Sequence, residues 1–183
     1  PAPVATKLTR LSPSRNHDLH YILDANAPPF YSEGTFDSCL MFHHTEFSFW
    51  SKRFGGFDMD AFASPVLHQV PDYYTEDRDF FDTDVSHRRV WAQPPRILMR
   101  RYLRRILSVH RRNAETAALT LVPVCPTASW WGLRRHFSVV MMYSPGISLF
   151  ESADQSRHIN HAPYALQSEL WWLPPQQNHA LCM

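Results

Sequence analysis

Apolar and polar positions alternate most regularly between about residues 45 and 151. Phe47, Trp50 and Phe54 recur at helical spacing behind Thr45, a residue type that often caps the beginning of a helix, and two glycines follow from Gly55. Glycine frequently ends a helix because it adopts a left-handed backbone without strain. This pattern predicts a helix that is capped by Thr45 and ends before the glycines.

Four apolar stretches have the length and flanking turn residues of β-strands. They cover residues 57–64, 117–124, 138–143 and 147–150. The second is continuously apolar, as in a strand that is covered on both faces. Ser129 is expected to cap a short helix that extends to Phe137. Strands that alternate with helices indicate a largely parallel sheet.

Residues 91–96 read Trp-Ala-Gln-Pro-Pro-Arg and separate a short apolar stretch from a basic one. Two consecutive prolines do not fit inside a helix or a central strand, because each lacks a backbone N–H and fixes φ. They suit a turn between a strand that ends at Trp91 and a helix over 96–112. Ligands of open α/β sheets bind outside the carboxyl ends of strands, so this turn is the first candidate site. The alternative is a stiff loop without a function.

The helix predicted over 96–112 has one apolar stripe, which we interpret as core. Arginines occupy its other sides, namely Arg96, Arg100, Arg101, Arg104, Arg105, Arg111 and Arg112. A preceding loop is acidic and contains Asp72, Glu76, Asp77, Asp79, Asp82 and Asp84. The basic face either contacts nucleic-acid phosphates through Arg100, Arg101, Arg104 and Arg105, or is neutralised by the acidic loop or another protein.

Composition limits the chain to one domain with two extended ends. A length of 183 residues and an apolar content of 44% are typical of a single globular domain. Fifteen prolines against five glycines, concentrated towards the termini and loops, favour proline-rich arms that lie on a partner. We predict an N-terminal arm over 1–44, with a short helix over 18–25 as an alternative, and a C-terminal arm over 152–183 that includes a short helix over 164–172.

Charge, cysteines and histidines exclude several classes of function. A formal net charge of +1 gives no overall attraction to nucleic acids or membranes. Three widely spaced cysteines fit reduced thiols in a reducing compartment, the cytosol or an organelle matrix such as that of mitochondria.

No apolar run reaches the length of a membrane span. The pairs His43-His44 and His158/His161 lack further ligands at metal spacing, so no metal site is predicted.

With these elements placed, the middle of the chain resembles the phage-type DNA adenine-N6 methyltransferases and related segments of reverse-transcribing mobile elements. Residues 57–64 read Phe-Asp-Met-Asp-Ala-Phe-Ala-Ser, where the family has a Phe-x-x-Asp-x-x-Ala-Ser strand and loop. Residues 90–95 read Val-Trp-Ala-Gln-Pro-Pro, where the family has a tryptophan before its Asn-Pro-Pro-Tyr catalytic turn. Segments 73–77, 121–123, 130–131 and 144–150 follow the family in the same order.

The resemblance implies which residues would form the site. In the family, the residue before the prolines holds the adenine amino group, and the aromatic residue after them stacks on a flipped base. Here the corresponding vestigial turn consists of Gln93, Pro94, Pro95 and Arg96, with a side chain one methylene longer and a cation in place of the aromatic ring. Residues Asp58, Asp60 and Ala63 correspond to the family's S-adenosylmethionine side, although a helix or loop cap is an alternative role for Asp60.

These observations predict a three-layer, Rossmann-like α/β fold of the methyltransferase type over 45–151, with an arm at each end. The preferred hypothesis is a catalytically degenerate domain without a cofactor. It would be a structural or RNA-associated subunit of a larger assembly, for example an organellar ribonucleoprotein. Its arms would bind the other protein subunits of that assembly. The rival hypothesis is an active enzyme that uses S-adenosylmethionine to methylate adenine N6 in DNA or RNA.

Overall fold

The computed structural model describes residues 40–75, 78–147, 149–152 and 167–176. Its helices and strands are β1 (Leu40–Phe42), α1 (His44–Phe54), β2 (Met59–Asp60), β3 (Arg89–Ala92), α2 (Arg96–Arg112), β4 (Ala117–Pro123), β5 (Ser138–Tyr143), β6 (Phe150–Ser152) and β7 (Ser168–Leu173). Two short 3-10 helices cover Phe80–Asp82 and Trp131–His136. The predicted short helix over 18–25 and the pair His158/His161 lie outside the described residues.

A five-stranded mixed sheet runs in the order β2-β3-β4-β7-β5. Strands β2, β3 and β4 are parallel, whereas β7 pairs antiparallel with both β4 and β5. The expectation of a largely parallel sheet is therefore right for one half of the sheet and wrong for the other. Strands β1 and β6 form a separate antiparallel pair.

The predicted helix over residues 164–172 is wrong where the chain is described, because Ser168–Leu173 forms β7. This strand lies between β4 and β5, so this part of the predicted C-terminal arm belongs to the sheet. Its residues Trp171 and Leu173 pack into one core cluster and Leu170 into the other. An apolar run of this length suits a fully buried strand as well as a helix, and only its long-range partners decide between them.

Helices α1 and α2 cover opposite faces of the sheet. The apolar stripe of α2, which includes Met99, Tyr102 and Ile106, packs in the same cluster as Val90 and Ala92 of β3. Phe47 and Trp50 of α1 pack in a second cluster with Trp91, the residue between them on β3. Successive strand residues point to opposite faces, which explains the alternation.

Several boundaries differ from the sequence-based expectations. Helix α1 ends at Phe54, before the glycines as predicted, and its C-cap Gly55 has a φ of 79°. It begins at His44, and Thr45 is not its cap. Trp130 is the N-cap residue of the second 3-10 helix. Ser129 therefore does not cap this helix. The strand predicted over 57–64 is limited to Met59–Asp60, and the last short strand is Phe150–Ser152 instead of 147–150.

Candidate functional site

The turn at 93–95 lies where the sequence places it, between the carboxyl end of β3 and the beginning of α2. Pro95 is the N-cap residue of α2, a position at which a missing backbone N–H costs little. Asp60 pairs with Trp91 across the neighbouring parallel strands. The carboxyl ends of parallel strands meet at one edge, so this arrangement brings Asp60 and the turn to the same side of the sheet.

Asp60 is buried at the end of β2, with 3% of its surface exposed. One carboxylate oxygen accepts a hydrogen bond from the backbone N–H of Gln69 at 3.0 Å, and the other accepts a longer one from the N–H of Phe62 at 3.4 Å. Burial raises the pKa of Asp60 to about 7, and these two hydrogen bonds oppose the rise. Both carboxylate oxygens of Asp60 thus face backbone N–H groups of the loop that follows β2.

The Gln93 side chain is held by the backbone of β1. Its Oε1 accepts a hydrogen bond from the N–H of Phe42 at 3.2 Å. The carbonyl of the same residue, Phe42, accepts a hydrogen bond from Nε2 of Gln69. Two glutamine side chains from separate loops thus hold both polar backbone groups of Phe42, and Gln69 links this contact to Asp60.

Gln69 and Phe42 complete this arrangement, and neither was predicted from the sequence. Phe42 contributes through its backbone, so its side-chain type carries no signal of the contact. Gln69 lies 27 residues from Phe42, and no local pattern connects them.

The remaining predicted site residues are distributed around the turn. Nη2 of Arg96 contacts Sγ of Cys125 at 3.9 Å, beyond the carboxyl end of β4. The N–H of Ala63 donates to the carbonyl of Tyr74 at 2.9 Å, a purely backbone contact. Asp58 is exposed and accepts a hydrogen bond from the N–H of Arg89 at 2.7 Å. Since Arg89 begins β3, Asp58 lies at the opposite end of that strand from Gln93.

A profile of the DNA N-6-adenine-methyltransferase (Dam) family matches residues 44–173. The chain belongs to this family. The match begins with α1 and ends with β7, so it includes Asp60, the turn at 93–96 and the strand that the sequence analysis assigned to an arm. The family accounts for the mixed, Rossmann-like α/β fold. A search of curated proteins found no match to the chain.

Dam methyltransferases normally use S-adenosylmethionine. Whether Asp60 could bind this cofactor can be judged from the residues around it. A carboxylate that binds ribose hydroxyls needs an accessible oxygen. Both oxygens of Asp60 accept backbone hydrogen bonds, and only 3% of the residue is exposed. The neighbouring Phe62 ring packs against Tyr102 with the ring centroids 5.4 Å apart. In this arrangement Asp60 does not fit a cofactor-binding role.

Three of the four arginines predicted to bind nucleic acid line one open hollow of about 350 Å³ on α2. Its lining residues are Phe81, Arg101, Arg104, Arg105, Ser108 and Arg112. Arg100 is not among them. Arg112 was not predicted, although its spacing from Arg101, Arg104 and Arg105 places it on the same helical face and could have identified it.

The acidic loop neutralises this arginine-lined hollow only in part. Hydrogen bonds from Ser86, together with the charges of His87 and Arg105, lower the pKa of Asp84, so one carboxylate of the loop lies near Arg105. Asp72 pairs with Arg78 at 2.9 Å and with Arg88 at 2.5 Å, both outside α2. The guanidinium of Arg101 lies 3.7 Å above the ring of Phe81, and a guanidinium nitrogen of Arg105 donates to the carbonyl of Thr83. The hollow is therefore a positively charged surface on which Arg101 contacts Phe81 and Arg105 contacts Thr83.

Proposed function

We propose that the chain is a catalytically degenerate member of the Dam family. In this proposal it has the three-layer arrangement typical of methyltransferases, and it serves as a structural or RNA-associated subunit of a larger assembly. The observation that carries the proposal is the contact between Oε1 of Gln93 and the N–H of Phe42 at 3.2 Å. An acceptor that is already occupied by the protein is a poor acceptor for an adenine amino group.

The geometry of the turn supports this proposal in two further ways. Methyl transfer of this type depends on positioning, and a displacement of about 1 Å can reduce the rate on the order of a hundredfold. Gln93 is one methylene longer than the family's asparagine, which moves its oxygen by about that distance. Arg96 offers a cation where the family offers an aromatic ring, and it is turned towards Cys125.

The surroundings of Asp60 support a domain that works without S-adenosylmethionine. The carboxyl is buried, and it orders the loop around Gln69 through a hydrogen bond of 3.0 Å. The same bond fixes the residue that holds the carbonyl of Phe42. Residues that would serve a cofactor and a substrate in the family therefore stabilise the fold in this proposal.

Methyl transfer from labelled S-adenosylmethionine to adenine in duplex DNA and single-stranded RNA tests the degenerate assignment. We expect no incorporation by the wild-type chain above that of Gln93→Ala. A double variant with Gln93→Asn and Arg96→Tyr restores the family's residues and is the comparison that detects a latent activity. Incorporation by the wild type that disappears in Gln93→Ala would favour the alternative, an active adenine-N6 methyltransferase on DNA or RNA.

The arginine-lined hollow supports association with nucleic acid. Salt dependence of binding to labelled single-stranded RNA measures the number of phosphate contacts. Arg101→Glu with Arg104→Glu should weaken binding and lower the slope of log K against log salt by about 1.4, or about 0.7 per contact on a single strand. The matched control reverses the charges of Lys52 and Arg53, two exposed basic residues on α1, by replacing both with glutamate.

Equal effects of the two charge reversals would contradict a specific role for the hollow. If neither charge reversal changes binding, the RNA binds elsewhere on the chain, and the structural role rests on protein partners. We then expect those partners to bind the segments outside 44–173.

The proposed location is a reducing compartment such as an organelle matrix.

A further inference from the structure

Three side chains that can bind metal ions meet where β1, the beginning of α1 and β6 come together. Nδ1 of His44 lies 2.7 Å from Oε1 of Glu151, and Nε2 of His43 lies 3.2 Å from the same oxygen. The three ligating atoms all lie within 4.8 Å of one another. We propose that His43, His44 and Glu151 form a binding site for one Zn²⁺-like divalent cation. This site is independent of the function proposed above.

Two of the three separations between ligand atoms are near those of a zinc site, and the two imidazole nitrogens lie within 4.8 Å of each other. With metal–ligand bonds of about 2.1 Å, tetrahedral ligand atoms lie about 3.4 Å apart. The separation of 3.2 Å between His43 and Glu151 is near this value, whereas the 2.7 Å between His44 and Glu151 has to widen slightly. His44 can move without disturbing the core, because 67% of its side chain is exposed.

The backbone holds the three ligands on ordered elements. Glu151 lies on β6 opposite Met41 of β1 in the antiparallel pair. The N–H of His43 donates to the carbonyl of Leu149 at 2.8 Å, which joins the beginning of α1 to the segment before β6. Ligands on paired strands and at a helix start need little rearrangement to bind an ion.

Thr45 orients one of the imidazoles. Its Oγ1 lies 2.6 Å from Nδ1 of His43, and Nε2 of that ring faces Glu151. Histidine ligands in metal sites usually form such a second contact through the nitrogen that does not bind the metal, which fixes the tautomer and the ring orientation. Thr45 is thus a positioning residue in this proposal.

The ligand types select the class of cation. Two imidazoles and one carboxylate are the ligands of zinc and other late first-row divalent metals, whereas magnesium and calcium prefer oxygen ligands alone. Three protein ligands leave at least one position for water. Glu151 lies 107 residues from His44, which explains why spacing in the sequence did not indicate the site.

Calorimetric titration of the metal-free full chain with zinc chloride tests the proposal. We expect one high-affinity zinc per chain and a loss of affinity of at least about tenfold in His44→Ala and in Glu151→Gln. Both altered side chains are at least partly exposed, and circular dichroism verifies that each variant is folded. Thr45→Ala should weaken zinc binding by a smaller factor, because it removes only the orienting contact.

The chain contains a matched control in His87 and Glu115. Their Nδ1 and Oε2 atoms are also 2.7 Å apart and exposed, but among the described residues no third metal ligand joins them. His87→Ala should leave the zinc titration unchanged, and zinc should raise the thermal midpoint of the wild type but not that of Glu151→Gln. Zinc affinity that is equal in the wild type, His44→Ala and Glu151→Gln would overturn the proposal, as would the absence of stoichiometric binding by the folded wild type.

Discussion

Replacement of Asp60 by asparagine should change how stability depends on pH. Burial raises the pKa of Asp60 from 3.8 to about 7, so the folded protein retains this proton when the unfolded chain has lost it. Between about pH 4 and pH 7 the unfolded state therefore binds fewer protons, and the free energy of unfolding falls as pH rises. Below this range the contribution of Asp60 is complete, and above it the loss is constant.

The separation of the two pKa values sets the size of the effect. A difference between 3.8 and about 7 corresponds to a loss of up to about 4 kcal/mol, at about 1.4 kcal/mol per pH unit. An asparagine keeps the shape of the side chain and an oxygen for the N–H of Gln69, but it carries no charge. Asp60→Asn should lack this decline and gain stability relative to the wild type as pH rises from 4 to 8.

Urea denaturation of both proteins at several pH values measures the difference directly. A matched control is Asp72→Asn, because hydrogen bonds from Arg88 and Arg78, together with their charges, lower the pKa of Asp72. The contribution of Asp72 to the free energy of unfolding has the opposite pH dependence. It is present above the pKa of the unfolded state and is lost as pH falls. Parallel stability profiles for the wild type and Asp60→Asn would refute the assignment of a buried, proton-retaining Asp60.

Three further substitutions test the packing around the sheet, each by urea denaturation at neutral pH. Arg134 binds both oxygens of Glu169, at 2.8 and 3.0 Å, and Glu169 is only 3% exposed, so Arg134→Met should destabilise the fold by about 2 kcal/mol. An unchanged midpoint would show that the pair contributes nothing. Tyr102→Phe removes a buried hydrogen bond of 3.1 Å to Thr120 and should cost about 1 kcal/mol, whereas a stabilised variant would contradict that bond. Gly55→Ala places a Cβ at a φ of 79°, so we expect a cost of about 1 kcal/mol, and a neutral result would argue against the left-handed cap of α1.

Local chemistry made one part of the fold predictable. Prolines at 94 and 95 restrict the backbone so strongly that the end of β3 and the beginning of α2 follow from the sequence. The apolar stripe of α2 and the buried run of β4 were likewise predictable, because each has a clear period or length. The positions of Asp60 and Gln93 at one edge then follow from parallel strand pairing.

Contacts between residues far apart in the sequence determine the features that could not be predicted. The segment 168–173 became a strand because β4 and β5 pair with it on both sides, and its own apolar run suits helix and strand alike. The contact of Gln93 with the N–H of Phe42 joins residues 51 positions apart. Glu151 meets His44 through the pairing of β1 with β6, which no short motif indicates.

The most direct test of the proposed loss of catalytic function is calorimetric titration of the folded 183-residue chain with S-adenosylmethionine, repeated with Asp60→Ala. Because Asp60 is buried and engaged by backbone N–H groups, we predict no binding heat for either protein. Micromolar binding by the wild type that is lost in Asp60→Ala would contradict the proposal and identify the chain as a cofactor-binding methyltransferase.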